Sequence, residues 1–323
     1  PNYAIPALNH RLTSNELDNV KANYEELRAA AKKGHTAIPV EPAGPSALSL
    51  SDEERNLVYE EWWQGSGLLF QATFADLLIN NNANQTASDF VRGKIHDIVA
   101  DKEVAALLTP KTPLGCKRLC VDTDYYKTYN LPNVSLVDVS QNPIDGIEPE
   151  GIRVGEKTYE LDAIIFATGY DAITGALASM DITGRGDLTL AKNWEEGPKS
   201  YLGLSMHGFP NLFTINGPGS PSVRVNMITG IEQHVEWIAA CLLHLRNKAI
   251  DTIEANAEDE KAWVSHNDEI ASNSIWSNCA SWYSGANVPG KPRVFMPYVG
   301  GFPAYMDKCE QVVRDGYAGF TLT

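Results

Sequence analysis

The chain has 323 residues, enough for two domains with buried cores, and its 43% hydrophobic and 21% charged residues are typical of a globular protein. Its 26 basic and 41 acidic residues give a formal net charge of −15, which argues against nucleic acid or an anionic membrane surface as a partner. A phosphate-bearing ligand therefore requires a local basic cluster. Apolar runs such as residues 164–166 are far too short to cross a membrane.

The cysteine and histidine patterns indicate neither disulfides nor a metal site. Five cysteines, an odd number without a CxxC pair, predict reduced thiols and a cytoplasmic protein. They are Cys116, Cys120, Cys241, Cys279 and Cys309. His234 and His244 share a helical stretch but lie ten residues apart, so we expect no joint role as metal ligands.

The first third of the sequence has the periodicity of helices. Thr13 with Glu16, and Ser51 with Glu54, match the capping-box pattern, and apolar residues follow each pair at helical spacing. The first of these helices is expected to close at Gly34. Further helices are predicted over residues 68–79, 87–99 and 102–108. Residues 13–110 are thus expected to form a compact helical unit.

The middle of the chain has the patterns of strands. Residues 151–154 and 158–161, joined by a turn at residues 155–157, predict a β-hairpin. The apolar runs at residues 163–166 and 212–215 are typical of strands buried on both faces of a parallel sheet, and a shorter strand is predicted at residues 134–138.

Two more helices are predicted near the end. An apolar face is expected on the first, formed by Met227, Ile228, Ile231, Val235, Ile238 and Leu242. The second, over residues 258–275, is acidic and is expected to turn Trp263 and Ile270 inward.

The two predicted buried strands end in small residues. The first leads into Ala167, Thr168 and Gly169, and the second into residues 216–219, Asn-Gly-Pro-Gly. Ligands of open α/β sheets lie at the carboxyl ends of strands, and glycine admits a flat cofactor there; tight turns are the alternative interpretation. No GxGxxG motif follows a strand, so this chain cannot build the pyrophosphate cradle of a dinucleotide by itself.

Two further features suit a charged and aromatic site. Lys117 and Arg118 form a basic pair just after the helical unit, suited to a phosphate or an oxyanion, although a solvated surface pair has the same pattern. Trp282 lies in a glycine-rich loop, residues 281–291, with a ring to stack and an N–H to donate; packing in a core-facing loop is the alternative.

Together these motifs carry a resemblance. FATGYDA at residues 166–172, NGPGSP at residues 216–221 and SWYSGANVPGKP at residues 281–292, with the basic pair, closely resemble the type I Baeyer–Villiger monooxygenases, above all their phenylacetone-oxidising members. The resemblance runs from Pro1 to Thr323. It implies an α/β flavoprotein with FAD and NADP Rossmann-like domains and a helical insertion.

The resemblance also implies how the chain is divided. Residues 1–112 would be mostly the helical insertion of the NADP domain, residues 113–167 the returning half of that domain, and residues 168–323 the returning half of the FAD domain. Both Rossmann fingerprints would then lie in an N-terminal segment upstream of Pro1. Because the chain also lacks an initiator Met, we interpret it as a C-terminal portion.

The chemistry implied by the resemblance uses FAD, NADPH, O₂ and a ketone. NADPH reduces FAD, the reduced flavin and O₂ form a C4a-peroxide, and its attack on the ketone gives an ester or lactone. Arg118 matches the family's active-site arginine, which would stabilise the developing negative charge. Lys117 matches a residue facing the 2′-phosphate of NADP, and Trp282 one that contacts its ribose.

The remaining expected site residues follow from the same resemblance. Cofactor contacts are expected at Ala167, Thr168, Gly169, Gly217 and Met227. The ketone pocket is expected to include Ser222, Val223, Arg224 and Met296. Arg224 departs from the apolar residue that the family pattern predicts, which bears on the range of ketones and not on the reaction.

Two other functions fit parts of the sequence. One is an N- or S-oxygenating flavin monooxygenase, a class expected to lack the helical insertion and the loop at residues 281–291. The other is a folded or partner-binding module without catalysis, because strands such as residues 163–166 would expose unpaired edges and apolar faces in the isolated chain.

Overall fold

The computed structural model describes residues 1–323, apart from the side chain of Asn278. Helices predominate in the described chain. They are α1–α11, at Ser14–Ala22, Tyr24–Lys33, Asp52–Gly65, Asn81–Ile98, Lys102–Leu108, Tyr125–Thr128, Gly175–Ala178, Leu190–Asn193, Met227–Lys248, Ala257–Ser272 and Phe302–Arg314. The strands, β1–β7, are Ala4–Pro6, Cys120–Asp122, Ile144–Glu148, Gly151–Val154, Lys157–Glu160, Ile253–Ala255 and Phe320–Leu322. No described helix combines the length and apolarity needed to cross a membrane.

Helices are confirmed in the predicted helical region, with two corrections, but residues 13–110 do not form one compact unit. α2 contacts α9 and α11, and the core around α3 and α4 contains no residue of α1 or α2. Both capping boxes are present: the Thr13 and Ser51 side chains accept from the N–H of the residue three positions on, whose carboxylates accept in return. The first predicted helix is two helices, α1 and α2, which meet at Asn23. The helix predicted at residues 68–79 is wrong, since a 3₁₀ helix at Gly67–Ala72 is followed by turns.

A tight aromatic core holds α3 and α4 together. The Tyr59 ring lies 5.7 Å from that of Phe70, 5.5 Å from Phe74 and 5.4 Å from Phe90, centroid to centroid. Edge and tilted contacts of this kind stabilise aromatic pairs beyond the area that they bury.

The sheets are small. β1 pairs in parallel with β2, placing Ala4 beside Cys120 and tying the first residues to the segment that follows Lys117 and Arg118. β3, β4 and β5 form an antiparallel sheet, and the pairing of β4 with β5 confirms the predicted hairpin. β6 pairs antiparallel with β7.

Three predicted strands are wrong. Residues 134–138, 163–166 and 212–215 have no regular structure, and the run expected to be buried is open, with Ile165 91% and Phe166 69% exposed. A strand needs a hydrogen-bonded neighbour, and no segment of the described chain pairs with these three. The parallel sheet expected from their apolar composition is therefore not formed within this chain.

The C-terminal core lies between α9, α10, α11 and the β6–β7 pair, and it corrects the predicted face of α9. The helix buries Gly230, His234, Trp237, Cys241 and Leu245. Ile228, Val235 and Leu242 of the predicted face are exposed. Apolar residues lie on most sides of this helix. The side that includes Trp237 is buried because it packs in one core with the aromatic side chains of α10 and α11. On α10 the predicted inward residue Trp263 is buried, and Ile270 packs against the same core.

Candidate functional site

A cluster of aromatic and sulfur side chains joins the segment before Lys117 to the C-terminal loops. Its buried members, here named the aromatic cluster, are Cys116, Ile275, Trp276, Cys279 and Tyr283, with Val223 and Trp282 packed at its margin. The indole Nε1 of Trp276 donates to the backbone oxygen of Gly115 over 3.0 Å. The cluster therefore holds the basic pair, the predicted ketone-pocket loop and the loop of Trp282 in one region.

Within this cluster, Cys116 and Cys279 form a disulfide, with Cα atoms 5.5 Å apart. The prediction of reduced thiols is therefore wrong for this pair, whereas Cys120, Cys241 and Cys309 are free. The 163 residues between the two cysteines hid their proximity, because spacing along a chain reports only local neighbours.

Lys117 and Arg118 follow Cys116 directly, with the lysine half-buried and the arginine exposed. Among the described side chains, neither has an acidic partner within ion-pair distance. The backbone beneath them is fixed, since the side-chain amide of Asn2 donates to the Arg118 oxygen over 2.6 Å. The two cations are positioned without being neutralised, in a chain of strongly negative charge.

Two of the predicted motifs contact each other. Lys291 forms an ion pair with Asp171, and its Nζ donates to the Thr174 hydroxyl over 2.7 Å. The side-chain amide of Asn287 donates to the Tyr170 oxygen over 2.8 Å. The loop at residues 281–292 is thereby anchored to the segment that begins with residues 167–169.

Residues 167–169 themselves are exposed and not at the end of a buried strand. Gly169 has φ of +89°, and a Cβ there would meet no heavy atom within 4 Å. The left-handed backbone favours glycine, and the open space leaves the peptide plane accessible to a flat ligand.

The turn at residues 216–219 is held by a buried hydrogen-bond chain that the sequence did not indicate. The Asn216 N–H donates to Nδ1 of His234 over 3.0 Å, and Nε2 of His234 lies 2.8 Å from the Tyr305 hydroxyl. That hydroxyl donates to the Leu202 oxygen over 2.6 Å. Burial lowers the pKa of His234 to about 4, so the ring is neutral and supports the turn as an acceptor.

Gly217 is buried in this turn, and a Cβ on it would lie 2.7 Å from the Gly203 oxygen. The position therefore requires glycine for packing against the protein itself. From the sequence, His234 was considered only as a metal ligand, and that role was rejected. Its position three residues before Trp237 on α9 was the available signal for a core role.

The predicted ketone-pocket residues meet at the aromatic cluster. Ser222 and Met296 are buried, and the Met296 backbone accepts from Gly219 over 2.7 Å and donates to Tyr283 over 2.9 Å. Nη1 of Arg224 donates to the Tyr283 hydroxyl over 3.3 Å.

The two remaining predicted residues differ in their surroundings. The half-buried Trp282 ring lies 4.2 Å from that of Tyr283, between centroids, so it belongs to the same region. Met227 begins α9, and its side chain is exposed. The described contacts do not bring Met227 to the aromatic cluster.

Comparison with known proteins identifies relatives of this chain. No protein-family model matches the chain. It is 38% identical over 323 residues to a phenazine N-monooxygenase of Lysobacter antibioticus, covering 99% of this chain and 59% of that protein. It is 39% identical over 319 residues to a Baeyer–Villiger monooxygenase of Pseudooceanicola batsensis, covering 98% of this chain and 58% of that protein.

Solved structures also match the chain. A cyclohexanone monooxygenase from Rhodococcus sp. Phi1 bound to NADP⁺ matches with a TM-score of 0.96 and 36% identity, over all of this chain and 61% of that one. OTEMO in complex with FAD and NADP matches with a TM-score of 0.95 and 34% identity, over all of this chain and 60% of that one. The chain's relatives include Baeyer–Villiger and other ketone monooxygenases, and it has the mixed α/β fold of the corresponding part of the matched structures.

Two qualifications follow from the alignments. The chain spans about 60% of the length of the curated relatives it matches. The N-monooxygenase relative aligns over 99% of this chain, helical first third and C-terminal loop included. The expectation that N-oxygenating enzymes lack these segments is therefore wrong for this relative.

Proposed function

We propose that this chain is the C-terminal portion of an NADPH- and O₂-dependent flavin monooxygenase that converts ketones to esters or lactones. The overall reaction balances as ketone, NADPH, O₂ and a proton giving ester, NADP⁺ and water. The observation that carries the proposal is the pair of cations without acidic partners, Lys117 and Arg118, which directly follows Cys116 of the aromatic cluster, against which Trp282 also packs.

FAD is the first cofactor of the proposal, and the described backbone fits it. The exposed segment Ala167, Thr168 and Gly169, with open space where a Gly169 side chain would stand, suits the close approach of a flat ring system. Gly217 lies in a turn whose position His234 fixes. When bound, FAD would supply the transfer of two electrons from NADPH and the activation of O₂.

NADP is the second cofactor. Lys117 would face its 2′-phosphate, since a half-buried ammonium group without an acidic partner has its charge available for that anion. Trp282 would contact the ribose, with its ring already fixed on Tyr283. We place Met227 at the edge of the cofactor site, because it is the first residue of α9, directly after the N-cap Asn226.

Arg118 would act as the electrostatic catalyst. Negative charge develops on oxygen as an oxygen atom is transferred to the ketone, and a guanidinium stays charged at every working pH. Because no described carboxylate neutralises Arg118, its charge is fully available to those oxyanions. Ser222, Val223, Arg224 and Met296 would line the ketone pocket around it.

The proposed domain division makes the chain dependent on an N-terminal segment. Residues 1–112 would be the helical insertion, 113–167 the end of the NADP domain and 168–323 the end of the FAD domain. Ile165 and Phe166 support this proposal, because their exposed apolar side chains lie in a run suited to a central strand. A preceding segment with parallel strands would pair with this run.

The proposal is tested with the complete flavoprotein that contains this chain, supplied with NADPH, ¹⁸O₂ and simple ketones. We expect ester formation with one labelled oxygen and one NADPH consumed per ester. This chain alone, with added FAD, should give no product, because it lacks a pyrophosphate cradle. Absence of ester from the complete protein would refute the reaction, and turnover by the chain alone would refute the need for the N-terminal segment.

N-oxygenation is a second candidate, favoured by the 38% identity to a phenazine N-monooxygenase. Aromatic N-heterocycles such as phenazine, offered in place of the ketone, distinguish the two. An N-oxide formed at a higher kcat/KM than any ester would favour this candidate.

A further inference from the structure

Arg224 is a cation that the proposed reaction does not require. It ends the 3₁₀ helix Ser222–Arg224, on the loop proposed to line the ketone pocket. Its guanidinium carbon lies 4.4 Å from the centroid of the Trp276 ring and 5.6 Å from that of Tyr283. An apolar residue would fill such a position without a charge, so the charge itself calls for an explanation.

The guanidinium is held in place but is not neutralised. Of its five N–H donors, one is used in the described contacts, toward the Tyr283 hydroxyl at 3.3 Å. Within the described part of the chain, no carboxylate lies in ion-pair distance of Arg224, although the sequence has 41 acidic residues. The remaining donors are therefore available to a ligand.

The aromatic rings make Arg224 a prepared binding group. Contacts with two ring faces restrict the rotamers of a long side chain, so less entropy is lost when it binds an anion. The nearby imidazole of His35 does not compete as a second cation, because burial, and then the charge of Arg224, lower its pKa. The proposed pocket loop therefore carries one fixed positive charge, packed on Trp276 and Tyr283.

We propose that Arg224 binds a carboxylate on the ketone, so that the preferred substrates are keto acids and not neutral ketones. The proposal rests on the ketone oxygenation proposed above and specifies its substrate class. A planar guanidinium binds a carboxylate through two parallel hydrogen bonds, which would orient the substrate as well as hold it.

The test uses the complete flavoprotein and matched pairs of substrates. 4-Oxopentanoate, 6-oxoheptanoate and 8-oxononanoate are each compared with their methyl esters, which keep the ketone and remove the charge. Three chain lengths are used because the distance between the ketone and the carboxylate that best fits the site is unknown, and the assay determines it. The variants are Arg224→Leu, Arg224→Lys and, as a matched control, Arg246→Leu, which removes an exposed arginine from the last turn of α9.

We expect at least one acid to exceed its ester in kcat/KM, and Arg224→Leu to lower that ratio about tenfold to a hundredfold, as for one charge-assisted contact. Arg224→Lys should retain part of the preference, and Arg246→Leu all of it. In Arg224→Leu, kcat/KM for the esters should fall by a smaller factor than kcat/KM for the acids.

Several outcomes would overturn the proposal. One is an acid-to-ester ratio that Arg224→Leu leaves unchanged. Another is an equal loss for acids and esters, which would indicate a packing role. A third is a raised KM for NADPH at a constant ratio, which would assign Arg224 to the cofactor phosphate. If neither acids nor esters react with the unaltered protein, the proposed oxygenation fails, and that result is distinct from an unchanged ratio.

Discussion

The backbone N–H of Asn216 donates to Nδ1 of His234, 3.0 Å away in the interior, and this bond exists only while the ring nitrogen is unprotonated. The other ring nitrogen then carries the proton and donates to Tyr305. A proton on Nδ1 would place two donors against each other. The turn proposed to approach FAD is thus tied to the charge state of one histidine.

Because of this hydrogen bond, we expect the folded protein to lose stability in acid. The folded-state pKa of His234, about 4, lies below the ordinary value of 6.5, so the fold binds the neutral ring. The stabilisation is complete above about pH 6.5 and is lost as the pH falls toward 4, by up to roughly 3 kcal/mol at about 1.4 kcal/mol per pKa unit. Thermal unfolding of the complete flavoprotein between pH 7.5 and 4.5 measures it.

In that experiment His234→Gln, which cannot titrate, should flatten the fall of Tm with pH, whereas His244→Gln on the same helix should not. Some slope should remain, because burial also lowers the pKa of His35. Identical slopes in the unaltered protein and His234→Gln would contradict the assignment.

For Arg118→Ala in the complete flavoprotein we expect ester formation to fall by about 10²–10³, with flavin reduction by NADPH largely retained. In the proposed role, the guanidinium would act where negative charge develops on oxygen, which is after hydride transfer. Stopped-flow absorbance separates the two half-reactions. Normal ketone conversion by the variant would remove Arg118 from the proposed catalytic role.

Lys117→Ala should alter cofactor choice and not oxygenation. A lysine facing the 2′-phosphate binds a charge that NADPH has and NADH lacks, so KM for NADPH should rise by about tenfold to a hundredfold while KM for NADH stays nearly constant. Steady-state kinetics with both nicotinamides measures this. Equal weakening of both would indicate a general electrostatic or structural role, and no change a solvated surface lysine.

The Cys116–Cys279 pair is tested by counting thiols. In protein unfolded without reductant, we expect three of the five cysteines to react with a thiol reagent, and all five after reduction. Peptide mapping should recover residues 116 and 279 in one cross-linked fragment. Removing the bond with Cys279→Ser should lower stability by about 2–5 kcal/mol. Five reactive thiols without reduction would show that the pair is not oxidised.

Local features of the fold were predictable from the sequence, and features that depend on distant partners were not. The capping boxes at Thr13 and Ser51 involve residues three apart, so the sequence alone reveals them. The strand expected at residues 163–166 needs a neighbour, and its apolar composition cannot show whether one is present. On α9, apolar residues lie on several sides of the helix, so the sequence could not show which side is buried. The structure shows that the buried side is the one with Trp237, which packs in the C-terminal core.

The same division holds for the site. The motifs at residues 166–172 and 281–292 were found separately, and the bond from Asn287 to Tyr170 shows that they lie together. The disulfide, the buried His234–Tyr305 pair and the rings around Arg224 each join residues at least 50 positions apart, so no local pattern indicated them.

The aromatic cluster has a consequence for biosynthesis. Cys279, the partner of Cys116, is 163 residues further along the chain. At a translation rate of about 5–20 residues per second, the ribosome adds it roughly 8–33 s after Cys116. During this time α3 and α4 have all their aromatic partners and are free to pack, whereas the thiol of Cys116 and the cations beside it remain solvated. The order of synthesis therefore allows α3 and α4 to pack before the aromatic cluster and the proposed reaction centre are assembled.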